Sequence, residues 1–434
     1  MKRVVALLWC LSACVMRPDG EDGERQAADA AGKGGFDVPM AQRKLPELPP
    51  DAPLEQFVRH AGLANGELEA RFFEWRAALE RIPQEASQDT TLELGFEYMF
   101  SNESMSAFDR TTLMAGNDAM KEIMYPGKLA TQGRMALAEA RMAARRFDQA
   151  RRELTTRVTN AWLELAELRA EIQIRDESLR LIEAMTVSVE SRVRAGMASS
   201  QDLVKVQNEL AMQRNELAAM QARVPTLQRN LNALVGRTAL DEPVLATLPE
   251  PRPVPVTAAE LAARLTAHNP ELMAMDQDIA ARNERVTRAE QEWIPGLSLT
   301  AGFTGSISQM VGAALTFPFL RKTAIEAGIA QANAELSAAR ARRRQAGPDL
   351  LARASGELAM LTDLERQIGV LQDTIQPQAE QAVELSRAAY AAGRIPLIEL
   401  LDTRRTAVEI RLLLLRARSE REKSVAMVTE LAAR

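Results

Sequence analysis

Residues able to do chemistry are few in this chain, and their types limit what chemistry is open to it. Its 434 residues include two His and two Cys. A structural zinc alone takes four ligands, and haem and iron–sulfur groups need His or Cys at fixed spacings, so zinc and redox enzymes are disfavoured. His60 and His268 occupy loosely matching places, each just before a helix opening, where a surface or capping role is expected. Met99, Met105, Met114, Met120 and Met124 crowd one short region. Thioethers suit Cu(I), but Met on an apolar face is more often a flexible filler, and no metal site is expected. No Gly-rich phosphate loop, nucleophile elbow or His–carboxylate motif is present. The expectation is a protein without cofactor or catalytic residues.

The cysteines are informative by position. Lys2 and Arg3 precede an apolar run from Val4 to Leu11, too short to span a bilayer, which ends in Leu11-Ser12-Ala13-Cys14. That tetrad resembles the bacterial lipobox, in which the cysteine becomes the lipidated first residue. Residues 1–13 are therefore expected to be a signal peptide and Cys14 the lipidation site. Residues 14–53, rich in Gly, Asp, Ala and Pro, read as a lipid-anchored flexible tether.

Lys and Arg number 54 against 59 Asp and Glu, interspersed, giving a net charge of -5 and no basic field for nucleic acid. The aromatic fraction is 4% against 46% hydrophobic, so Ala, Leu, Val and Met must close the core. Long helix-on-helix packing does that.

The chain repeats itself. Asn65-Gly66-Glu67-Leu68 returns as Asn269-Pro270-Glu271-Leu272, about 204 positions later. Ile82-Pro83 is answered by Ile294-Pro295, and Tyr125-Pro126-Gly127 by Phe317-Pro318-Phe319. Arg194-Ala195-Gly196 followed by Asp202-Leu203 is answered by Ala392-Gly393 followed by Glu399-Leu400-Leu401. The order and near-constant offset give two copies, 54–242 and 257–434, joined by a Pro-rich linker at 243–256.

Each copy mixes two periodicities. Leu92 to Tyr98 alternates with period two, as do Leu297 to Phe303 and Val311 to Phe317. A fourth strand is expected between Arg110 and Met124. Nine of the 18 aromatic residues lie in Leu92–Tyr125 and Trp293–Phe319, which fits the girdles of a membrane β-barrel. The rest is helix, at ~128–194, ~200–235, ~321–391 and ~397–433. The first would run about 100 Å at 1.5 Å per residue. Leu203, Val206, Leu210, Gln213, Leu217, Met220, Val224, Leu227, Leu231 and Leu234 form a heptad seam, polar only at Gln213. Pro225 predicts a kink or break in it, and Gly347-Pro348 and Pro377 predict interruptions in the second copy. Short turns at Gly196–Ser200 and Gly393–Pro396 end each hairpin, with Ser200 the expected N-cap.

This pattern resembles the TolC-type outer-membrane efflux protein family, including its lipoprotein and heavy-metal branch, over about Leu54 to the C-terminus. The resemblance implies a two-repeat fold, mixed all-α plus membrane β. Four strands per protomer would enter a trimeric 12-stranded outer-membrane barrel, continued by a long periplasmic α-helical barrel. It implies a passive duct of a tripartite efflux or secretion system. Its partners would be two further copies, a periplasmic adaptor, an inner-membrane pump and outer-membrane lipid, with no nucleic acid. Glu399 and Asp402 fall on the acidic pair ringing the closed periplasmic entrance, Asp202 on an acid bonding the tip tyrosine, and Tyr390 on that tyrosine. Arg194, Gly196, Met197 and Ser199 with Gly393, Arg394 and Ile395 are the expected adaptor-docking tips. Ile395 departs from the basic residue often found there. A lipid-anchored periplasmic coiled-coil scaffold or adaptor protein would account for Cys14 and the heptads, but not for aromatic strands repeated in the same order.

Overall fold

A computed structural model describes residues 16–89, 91–100, 105–117, 123–253, 257–306 and 308–432. The signal segment, Cys14, Met120 and the linker end at 254–256 lie outside these. The chain divides into two compact units. One comprises 1–33, 71–147 and 270–347, the other 34–70, 148–269 and 348–434.

The first unit holds the sheet. Strands β1 (Leu92–Tyr98), β2 (Thr111–Asn117), β3 (Gly296–Thr304) and β4 (Ser308–Thr316) lie in the order β1-β2-β3-β4, all antiparallel. One hairpin comes from each repeat, and β2 pairs with β3 across them. Because side chains alternate along a strand, register places Leu94, Ala115, Ala301 and Val311 in one row, with Phe96, Leu113 and Phe303 in the next. This face is apolar and open: Leu94 is 77% exposed, Phe96 70% and Val311 81%. The other face carries Glu93, Glu97, Thr112, Thr300 and Thr304. β1 and β4 each have a free edge within the described sheet. The hairpin loops are tied together. Asp109 accepts from the Ser306 backbone N–H at 2.8 Å and from the Ser106 hydroxyl at 2.6 Å, and the Gly305 N–H donates to the Thr111 carbonyl. Gly305 has φ 45°, and a Cβ there would fall 2.3 Å from the Asp109 Cα, so only glycine fits.

Helices account for the remainder. They are α1 (Glu21–Gly32), α2 (Leu54–Ala64), α3 (Gly66–Glu85), α4 (Pro126–Arg194), α5 (Ser200–Leu234), α6 (Ala258–His268), α7 (Pro270–Glu290), α8 (Lys322–Val370), α9 (Gln376–Ala391) and α10 (Leu397–Leu431). α4 is one helix of 69 residues. The repeat motif has a structural reason in the second unit. Asn65 follows α2, accepts from the Leu68 N–H at 3.0 Å to cap α3, and donates to the Leu234 carbonyl at 2.9 Å. The few core aromatics meet pairwise. Phe72, Trp75 and Phe147 cluster in the first unit, and Phe57 lies 5.0 Å from Trp162 in the second.

Three expectations are corrected. Residues 17–53 are not an irregular tether, since the segment contains α1 and a 3-10 turn at Met40–Gln42. In the first unit Met16 N–H donates to the Ala86 carbonyl at 3.1 Å, Arg25 pairs with Glu80, and Ala28 is fully buried. In the second, Phe36 is buried and Arg43 bonds Glu69 at 2.9 Å and the Leu63 carbonyl at 3.0 Å. Widely spaced apolar residues and arginine forks hold the segment, a pattern with no period to read. Pro225 and Pro348 do not end their helices, because each removes one backbone bond that packing on the neighbouring turns can offset. At Pro377 the interruption does occur, as a π turn at Leu371–Ile375 just before it. His60 is buried and its Nδ1 lies 2.9 Å from the Pro46 carbonyl, a structural bond rather than a surface position.

Candidate functional site: the paired hairpin tips

Within the second unit, the ends of α4 and α9 turn back in the same way. The N–H of Gly196 donates to the Val193 carbonyl and that of Met197 to Arg192. The N–H of Gly393 donates to Tyr390 and that of Arg394 to Ala389. These are paired Schellman bonds. They need a left-handed residue, supplied by Gly196 at φ 72° and Gly393 at φ 69°. The restart differs from expectation. Ser199, not Ser200, caps α5, its hydroxyl accepting from the Asp202 N–H at 3.1 Å, because Ser200 is already helical. Pro396 precedes α10, where its missing N–H is no loss.

Beneath the turns lies one apolar cluster drawn from both repeats, Ile182, Val189, Val206, Leu397 and Leu401, with Tyr390 packed against it. The loops above are open. Arg194, Gly196, Ser199, Gly393 and Arg394 are exposed, Met197 is 66% exposed, and Ile395 is half-buried. The structure therefore brings the predicted tip residues of the two repeats onto one shared core.

The predicted gate residues divide. Glu399 and Asp402, at i and i+3 on α10, are both exposed on one helix face. Asp402 Oδ1 lies 3.6 Å from the Arg405 guanidinium. The resemblance implied a bond from Asp202 to Tyr390. In the single chain the Tyr390 ring instead lies 4.9 Å from the Arg192 guanidinium, a cation–π contact that joins α4 to α9.

Sequence reasoning missed a charged link between the repeats. Arg405 on α10 forks onto Glu209 on α5, whose side chain is 3% exposed, and Gln213 donates to the same carboxylate at 3.0 Å. The Arg405 hydrogen bond holds the Glu209 carboxyl below its usual range, while burial opposes it. The one polar residue on the heptad seam, Gln213, was the available signal: it is there to serve a buried acid one turn away.

An antiparallel sheet with an apolar exposed face, in a chain that also carries repeated long helical hairpins, fits the class of outer-membrane channel protomers. The chain belongs to the outer membrane efflux protein family, whose model matches residues 65–237 and 261–434, one match per repeat. The pyoverdine export outer membrane protein OpmQ of Pseudomonas aeruginosa is 26% identical over 74% of this chain and 70% of its own length. The cation efflux system protein CusC of Escherichia coli K12 is 23% identical over 57% of this chain and 56% of its own. Among solved structures, the outer-membrane channel OprN shares the fold at TM-score 0.72 and 18% identity over 92% of this chain and 91% of its own. VceC of Vibrio cholerae does so at 0.73 and 18% identity, over 88% and 96%. The protein is thus an outer-membrane component of a tripartite efflux system, located in the outer membrane and extending into the periplasm. Channels of this family act as trimers with an adaptor and an inner-membrane pump.

Proposed function

We propose that this chain is a passive duct whose periplasmic mouth is formed by the two tips, with Glu399 and Asp402 ringing the entrance. The observation that carries this is the joint core under the tips, which sets both turns and both acids on elements held together by Arg192–Tyr390 and Glu209–Arg405. Three copies bring six carboxylates around one mouth and favour cations. Arg405 beside Asp402 offsets part of that charge, so Glu399 carries the larger share. In planar bilayers, Glu399→Ala with Asp402→Ala is expected to lose cation selectivity, and unchanged selectivity would sink the ring.

The exposed turns, with Met197 and Arg194 on one and Arg394 on the other, are the surface offered to the adaptor. The duct does no chemistry, and its cargo is set by the attached pump. The relatives' names, one for pyoverdine export and one for cation efflux, bracket that range. Cys14 carries the lipid anchor in this reading. Intact-mass measurement of the mature N-terminus is expected to show an acylated Cys14, and an unmodified residue there contradicts the anchor.

A further inference from the structure

Where the sheet passes into the long helices, apolar and basic side chains meet on one rim of the first unit. Phe317 continues the alternation of Ala313 and Leu315 on the apolar face, and its ring stacks on that of Phe319 with centroids 5.6 Å apart. Leu320 beyond them is fully exposed, and Tyr125 and Trp293 are exposed as well. Aromatic side chains at such a position belong to the layer where headgroups meet hydrocarbon.

Basic residues share this rim. Gln291 donates to the Gly127 carbonyl at 3.3 Å and to the Thr131 hydroxyl at 3.0 Å, which ties the 3-10 turn Gln291–Trp293 to the first turn of α4. On that turn Glu292 accepts from Arg288. Burial pushes the Glu292 carboxyl up, yet Arg288, Lys128 and Arg321 together hold it below its usual range. The ends of α4 and α7 and the 3-10 turn Phe319–Arg321 therefore bring cations around one acid. Lys322, 67% exposed, follows Arg321 with its ammonium 3.8 Å from Glu326. Lys128, Arg288, Arg321 and Lys322 against Glu292 and Glu326 leave this rim with excess positive charge. α4 and α8 begin here, and the helical part of the chain is periplasmic, so the rim faces the periplasmic leaflet, which is built of phospholipid.

We infer that Lys128, Arg321 and Lys322, bordered by Phe317, Phe319 and Leu320, form a collar that takes the phosphodiester headgroup of an anionic phospholipid from the periplasmic leaflet. A zwitterionic headgroup carries its own cation beside the phosphate and gains less from the excess charge. The inference rests on membrane insertion and not on the gate or an adaptor, so the full-length channel reconstituted in phosphatidylcholine vesicles suffices. Trp293 reports on the rim, since Trp75 and Trp162 are buried and Trp9 falls in the expected signal peptide. With a minor fraction of the lipid carrying brominated acyl chains, quenching of Trp293 fluorescence is expected to be about twofold stronger for phosphatidylglycerol than for phosphatidylcholine. The Lys128→Gln, Arg321→Gln, Lys322→Gln variant should keep the phosphatidylcholine quenching and lose the excess. Equal quenching by the two lipids in the wild type, or an undiminished excess in the variant, overturns the site. Inorganic phosphate should leave the excess in place, and its loss on adding phosphate would reassign the cluster to a free anion. Should the triple variant fail to insert, the wild-type comparison decides alone.

Discussion

Glu209 ties α5 of the first repeat to α10 of the second. It is an acid with a 3% exposed side chain, answered by an arginine 196 residues away and a glutamine on its own helix. Removing one partner of such a pair leaves the other without its hydrogen bonds, while Arg405, nearly half exposed, can still reach water. Glu209→Ala is therefore expected to destabilise the helical unit by about 1–3 kcal/mol, measured by thermal unfolding. Exchanging the charges, Glu209→Arg with Arg405→Glu, should recover part of that loss. A single variant as stable as the wild type would show the pair to be idle. The pH dependence has a defined sign. The folded carboxyl sits below its ordinary 4.5, so its stabilisation is complete above that value and fades as pH falls below it. At this scale the sequence was only half legible. The tip glycines could be read from order and repeat, whereas Tyr390 and the acids of α10 were singled out only through the family resemblance. Arg192 over Tyr390 and Arg405 on Glu209 are meetings of residues far apart in the chain, and no local period encodes them.

Elements were far more legible than contacts. Period-two runs became β1, β3 and β4, and the weakly patterned stretch after Arg110 became β2 because an already alternating neighbour on each side gives it partners. Every heptad position named from Leu203 to Leu234 is buried or half-buried in α5. Proline misled where packing was strong, at Pro225 and Pro348. Composition misled at residues 17–53, where single anchors such as Ala28 and Phe36 replace a periodic face. In the proposed reading the tip turns are the elements offered to a partner, their backbone fixed by Schellman bonds while their side chains stand open. A cysteine at Met197, bearing a photoactivatable cross-linker, is expected to capture the periplasmic adaptor when pump and adaptor are co-expressed. Capture from a cysteine on the exposed flank of α8, with none from Met197, would move the docking surface off the tips.

The whole molecule is a membrane protein by its sheet alone. Among the described residues no helix is long and apolar enough to cross a membrane. An open four-stranded sheet cannot rest in lipid, because its edge N–H and C=O groups would go unpaired in hydrocarbon. Leu94, Phe96 and Val311 also need an apolar medium. Closing edge β1 of one copy on edge β4 of the next satisfies both demands, and three copies give a 12-stranded barrel. That closure is the central claim, and it separates a channel from a lipid-anchored scaffold. Its most direct test is the electrophoretic migration of the protein from outer-membrane fractions before and after boiling in detergent. A closed barrel predicts a compact trimer band that collapses to monomer only on heating. Migration as monomer at both temperatures would contradict it.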